Sequence, residues 1–134
     1  MSVQRLSTTR AVELVGEGVA YLDVRSVPEF ESGHVAGAYN IPLMHKGPTG
    51  MQPNPDFEAR VEAAFDKTRA IVVGCRSGQR SARAAAVLAQ RGFQTLYDHG
   101  GGWAGNAEDP GWPAGGGETS QSPVAGRSYA ELGG

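Results

Sequence analysis

The sequence predicts an α/β domain built on a mostly parallel central sheet flanked by helices. Short β-rich apolar runs at residues 19–24, 70–74 and 93–97 alternate with segments of helical periodicity, the pattern of strand, crossover and parallel strand. A length of 134 residues fits one hydrophobic core, and 40% apolar residues suffice to fill it. Twenty glycines and eight prolines then imply many loops.

In chain order, residues 8–16 read as a helix with Thr8 or Thr9 as N-cap, an apolar face of Ala11, Val12, Leu14 and Val15, and Gly16 as its stop. The run Val19-Ala20-Tyr21-Leu22-Asp23-Val24 follows as a strand. Ser26 then caps a short helix with Pro28 in its first turn and Gly33 at its end. Residues 38–41 form an extended piece cut off by Pro42. Residues 43–55 hold Gly47, Pro48, Gly50, Pro53 and Pro55 and read as an irregular surface loop. Phe57, Val61, Ala64 and Phe65 give a third helix over 56–65, with Asn54 as its cap. Ala70-Ile71-Val72-Val73-Gly74 is the clearest buried strand, and residues 79–91 form a helix closed by Gly92. A strand over 93–97 leads to the turn Gly100-Gly101-Gly102. The domain is expected to span residues 1–112. Residues 113–134, rich in Gly, Ser and Pro, are expected as an extended tail, with a helical turn at 125–132 only if it docks.

Charge excludes some partners. Fourteen acidic against twelve basic residues leave no broad cationic face for a nucleic-acid backbone. No apolar run approaches the ~20 residues of a membrane helix, and the N-terminus lacks an apolar stretch behind a basic head, so a soluble, unexported protein without a membrane partner is expected. The single cysteine, Cys75, allows neither an internal disulfide nor a multi-cysteine zinc site within the chain. A lone thiol suits a reducing compartment, and the expected location is the cytoplasm.

The chemistry concentrates in Cys75-Arg76-Ser77-Gly78-Gln79-Arg80-Ser81, which joins the buried strand to the following helix. Ligands of open α/β sheets bind beyond the carboxyl ends of strands. Amides at a helix start lack intrahelical partners and carry the positive end of the helix dipole, so a loop wrapped there cradles an anion. Gly78 lets the backbone curl closely around a guest. The same amides, with Arg76 and Arg80, favour a thiolate, which makes Cys75 a nucleophile at neutral pH. The alternative, an inert buried cysteine, fails because Arg76, Ser77, Gly78, Gln79 and Arg80 cannot all be core.

With this loop, the motifs Leu22-Asp23-Val24-Arg25, Glu29-Phe30, Gly33-His34-Val35-Ala36-Gly37-Ala38, Asn40-Ile41-Pro42 and Gly100-Gly101-Gly102 make the chain resemble a single-domain rhodanese, a thiosulfate-type sulfurtransferase, over residues 8–111. The long loop at 43–55 further resembles the stand-alone plant-type members. The resemblance implies a Cys75 persulfide: a small anionic sulfur donor such as thiosulfate binds in the loop, Cys75 takes its outer sulfur, and an external thiol, cyanide or a protein acceptor removes it. Arg76, Ser77, Gly78, Gln79, Arg80 and Ser81 are the expected substrate-binding residues, and two arginines favour a dianionic donor over 3-mercaptopyruvate. A non-catalytic sulfur carrier or anion sensor is the alternative. Phosphatase or arsenate reductase chemistry is a minor one, because those loops place Arg six positions after Cys and here Arg80 follows Cys75 by five.

Other polar residues carry blander readings. Asp23 and Arg25 share the sheet edge with Cys75 and either shape the pocket rim or brace backbone, Arg25 pairing with a carboxylate such as Glu29. His34 reads as structural, since a persulfide transfer needs no separate base. His45 and His99 stand isolated among polar neighbours. No set of ligands at metal spacing is present, so neither metal nor cofactor is expected. Trp103 reads as packing, and Asn106, where the family often carries an aromatic residue, as a departure that touches only packing near the last helix.

Overall fold

The computed structural model describes residues 3–132. The chain runs β1 (Val3–Leu6), α1 (Thr8–Gly16), β2 (Ala20–Asp23), α2 (Val27–Ser32), β3 (His34–Val35), β4 (Tyr39–Asn40), β5 (Met44–Gly47), β6 (Gly50–Pro53), α3 (Phe57–Ala64), β7 (Ile71–Gly74), α4 (Gln79–Gln90), β8 (Leu96–His99), β9 (Thr119–Ser120) and α5 (Tyr129–Leu132). The main sheet has the order β1-β8-β7-β2-β4 with every pair parallel. Its centre is β7, whose four residues are all buried. Side chains alternate across a strand. Ile71 and Val73 therefore face Leu22, Ile41, Phe57, Val61 and the α4 residues Ala85 and Leu88, while Val72 faces Leu6, Ala11, Leu14, Tyr21, Phe30 and Trp112. Helices thus cover both faces, which is what a parallel sheet requires. No helix among the described residues is long and apolar enough to cross a membrane.

Several elements depart from the sequence reading, among them α3, whose N-cap is Asp56 and not Asn54. Strand β1 was not expected; it is an edge strand held by its register with β8, Val3 opposite Leu96 and Leu6 opposite His99. Helix α1 is capped by Ser7, whose Oγ accepts from the Arg10 amide, because the Thr8 hydroxyl is buried and engaged with His99 and Asp109. Residues 44–53 form an antiparallel hairpin, β5 with β6, where an irregular loop was expected; the prolines fall at its tip and its end, where they interrupt no ladder. Strand β8 begins three residues later than the apolar run that announced it, and Phe93 is core below its start.

Residues 113–132, expected as an extended tail, lie on the domain. Trp112 is buried and its Nε1 donates to the Glu118 carbonyl at 2.7 Å. Strand β9 pairs antiparallel with β3. Gly117 lies against the Trp112 indole so closely that a Cβ would overlap it. Farther on, Arg127 donates to the Gly37 carbonyl at 2.9 Å and stacks on Tyr39, and the helical turn α5 carries Tyr129, whose hydroxyl accepts from Asn54. Backbone bonds and a few large side chains hold this arm, which is why its apolar content gave no sign of docking.

Candidate active site

Three parallel strands converge at their carboxyl ends: β2 delivers Asp23, β7 leads into Cys75, and β8 delivers Asp98. Cys75 follows the buried strand directly and is itself only 2% exposed. The chain then turns back so that the Gly78 amide donates to Cys75 Sγ at 3.1 Å. Gly78 makes this possible at φ +104°, a backbone that side chains disfavour, and a Cβ there would collide with the Gly100 carbonyl. Helix α4 starts at the next residue. Among the described residues, the amides of Arg76, Ser77, Gln79, Arg80 and Ser81 meet no acceptor in the chain. The loop therefore holds a run of free donors immediately beside the sulfur, at the positive end of a 12-residue helix.

The outer side of the loop is tied to the turn after β8. Trp103 and Ala104 amides donate to the Cys75 and Arg76 carbonyls, both at 2.8 Å. Asn106 Nδ2 bridges the Ser77 carbonyl at 3.1 Å and the Gly100 carbonyl at 2.9 Å. Asn106 thus fixes the loop itself, a correction to the reading that it touched only packing near the last helix.

With the cradle placed, comparison with known proteins decides the family. The family model described as Rhodanese-like domain matches residues 7–109. The chain belongs to the rhodanese-like domain family. It is 42% identical over 104 residues to Thiosulfate sulfurtransferase 16, chloroplastic, of Arabidopsis thaliana, covering 78% of this chain and 87% of that protein. It is 40% identical over 99 residues to Rhodanese-like domain-containing protein 15, chloroplastic, of the same plant, covering 74% of this chain but 54% of that longer protein. The crystal structure of Rv0390 from M. tuberculosis superposes with a TM-score of 0.75 at 23% identity, covering 91% of this chain and all of the other, a likeness of fold. The rhodanese-like domain and its sulfurtransferase relative support sulfurtransferase activity.

In this rhodanese-like domain the two loop arginines differ. Arg76 is exposed and, among the described residues, has no carboxylate partner. Arg80 forms a two-pronged pair with Glu29, at 2.8 and 3.0 Å. Burial pushes the Glu29 carboxyl up, but the Arg80 fork and the Ser26 hydroxyl and amide outweigh it and bring Glu29 down from 4.5 to about 2. Glu29 is thus the partner of Arg80, whereas Arg25 forks onto Asp23 instead, with Nη2 at 2.7 Å, and also reaches the Gly33 carbonyl. Arg25 stacks over Trp103, which is half-buried. These contacts favour the bracing role for Asp23 and Arg25.

Ser81 is fully buried and its hydroxyl donates to Asp98 Oδ1 at 2.6 Å, while its Oγ lies 3.5 Å from Cys75 Sγ. Asp98 Oδ2 pairs with Arg5 at 2.7 Å. Gln79 is exposed. Asp98 and Arg5 escaped the sequence reading; Asp98 was detectable only as a carboxylate near the end of a parallel strand, and Arg5 lies on the unexpected β1. His34 is structural, with Nδ1 bonded to the Phe30 carbonyl and its ring stacked on Phe30. His99 corrects the picture of an isolated histidine. It is buried between the Tyr21 hydroxyl and Thr8 Oγ1, each at 2.7 Å. Because Thr8 gives its own proton to Asp109, Nε2 carries the ring hydrogen and Nδ1 accepts from Tyr21.

Proposed function

We propose that the protein transfers sulfane sulfur from thiosulfate to a thiol or cyanide through a Cys75 persulfide. The Cys75 thiolate attacks the outer sulfur of thiosulfate; the sulfur–sulfur bond of the donor breaks, and sulfite departs with the bonding electron pair. The acceptor thiolate then attacks the outer sulfur of the persulfide and regenerates the Cys75 thiolate. Both displacements balance without an oxidant or a reductant.

The observation that carries this reading is the Gly78 amide on Cys75 Sγ flanked by five amides, of Arg76, Ser77, Gln79, Arg80 and Ser81, that are free among the described residues. Donors fixed in advance stabilise charge that develops on the transferred sulfur and the leaving sulfite without reorganising. The preference for a dianion rests on Arg76 and these amides, since Arg80 is already committed to Glu29. The spacing of Arg80 five positions after Cys75 favours sulfur over a bulkier tetrahedral phosphate.

Incubation with thiosulfate is expected to add one sulfur atom to the intact mass, and Cys75→Ser to abolish the gain. A wild-type spectrum without the gain overturns the proposal. A donor panel of thiosulfate, 3-mercaptopyruvate and glutathione persulfide tests the charge argument. Repeated turnover with a small thiol identifies an enzyme; one loading followed by slow release identifies a sulfur carrier.

A further inference from the structure

A serine hydroxyl has one proton to give. At Ser81 the nearest acceptor is the Asp98 carboxylate, 2.6 Å away and buried, and a bond to an ionised acceptor outcompetes the 3.3 Å contact to the Gly78 carbonyl. The Ser81 oxygen therefore turns a lone pair toward Cys75 Sγ, and the sulfur is the donor across that 3.5 Å gap. This contact by itself suits a thiol, against the Gly78 amide on the same sulfur, which suits a thiolate.

We infer that Asp98 is a positioning residue for Cys75: by holding the Ser81 proton it keeps the resting cysteine as the thiol, and ionisation requires Ser81 to swing its proton from Asp98 to the sulfur. The swing breaks the Ser81–Asp98 bond and forms an O–H···S⁻ bond, while the thiol proton leaves to solvent. Arg5, its side chain 58% exposed, remains on the other Asp98 oxygen and holds that carboxylate once Ser81 has turned away.

Of the other charges around the sulfur, Arg76 is exposed and has no carboxylate partner among the described residues, and the rest are already paired. Arg80 from α4 is matched by Glu29 from α2, and Arg25 by Asp23 at the end of β2. Tyr21 of β2 stays neutral, because burial and the negative charges around it push its hydroxyl well up. Among the described residues, Ser81–Asp98 is thus the link that joins an acidic group to Cys75 through hydrogen bonds.

This inference rests on Cys75 as the nucleophile of the proposed transfer. Its test reads ionisation alone, so it can fail while sulfur transfer stands, and the reverse. The rate of alkylation by iodoacetamide is followed against pH on the full chain, with thiolate ultraviolet absorbance as a second readout. In Asp98→Asn the amide can donate to Ser81, which frees the serine proton for the sulfur; the alkylation midpoint is expected to move to lower pH by about one unit. Combined with Ser81→Ala, the same change is expected to move the midpoint by less than half as much, since the connecting hydroxyl is gone. Arg5→Gln leaves every buried group in place and serves if Asp98→Asn does not fold; it tightens the hold of Asp98 on the Ser81 proton and is expected to move the midpoint upward at low salt, an effect that S81A removes. An unmoved midpoint in D98N, an unmoved or lowered one in R5Q, or shifts of equal size with and without S81A would overturn the inference.

Discussion

Gly78 shows how one residue sets the site. Its left-handed backbone brings its own amide to the sulfur and turns the following amides outward, and the Gly100 carbonyl occupies the space where a side chain would begin. Gly78→Ala therefore combines backbone strain of about 1–3 kcal/mol with displacement of the donor next to the nucleophile. Loss of one such donor typically costs about 10²-fold in rate. The variant is expected to fold, to lose stability within that range in urea titration, and to load sulfur from thiosulfate about 10²-fold more slowly. Loading at the wild-type rate would show that the Gly78 amide contributes nothing. Residues of this kind were legible in the sequence, because a strand running into Cys75 and a glycine three positions on have one economical reading. Glu29 and Asp98 were not: each meets the loop from a different element, and neither pairing leaves a local pattern.

At the scale of elements, β7 and α4 were legible because their own side chains decide them, an uninterrupted Ile-Val-Val run and a helical stripe of Ala84, Ala85 and Leu88. Strand β1, the β5–β6 hairpin and the arm from Trp112 onward are decided by partners distant in sequence. Their ladders hold where intrinsic preference is weak or contrary, and register alone separates them from loop. The arm also yields a quantitative expectation. Trp112 makes edge contacts with Tyr21 and His99 and ties the arm through Glu118, so Trp112→Ala opens the core and releases β9 together. A cost of about 3–5 kcal/mol is expected in denaturant unfolding, the range for truncating a buried large aromatic. A loss below about 1 kcal/mol would mean that the arm is superficial.

For the whole molecule, two groups held well below their ordinary values, His99 and Glu29, divide its response to acid. Burial holds His99 down from its ordinary 6.5 to about 4, against a weaker upward pull from Asp109. Its neutral ring is built into the Tyr21–His99–Thr8–Asp109 chain of bonds, where Nδ1 must accept and cannot do so once protonated. Between those two values the unfolded chain binds a proton that the folded chain refuses, so the contribution of His99 is complete above about 6.5 and lost as pH falls toward 4. That loss is on the order of 3 kcal/mol. Glu29, brought down from 4.5 to about 2, acts in the next window: its contribution is complete above 4.5 and lost as pH falls toward 2. It is smaller, because solvent screens the half-exposed pair with Arg80. Urea unfolding in steps from pH 7 to 4 is therefore expected to show stability declining from about pH 6.5, well above the ordinary carboxylate range. His99→Gln should flatten that slope whatever it does to stability at pH 7, and should leave the decline below pH 4.5 in place. Stability that stays level from pH 6.5 to 5 in the wild-type chain would mean that the buried imidazole takes up its proton without leaving the fold.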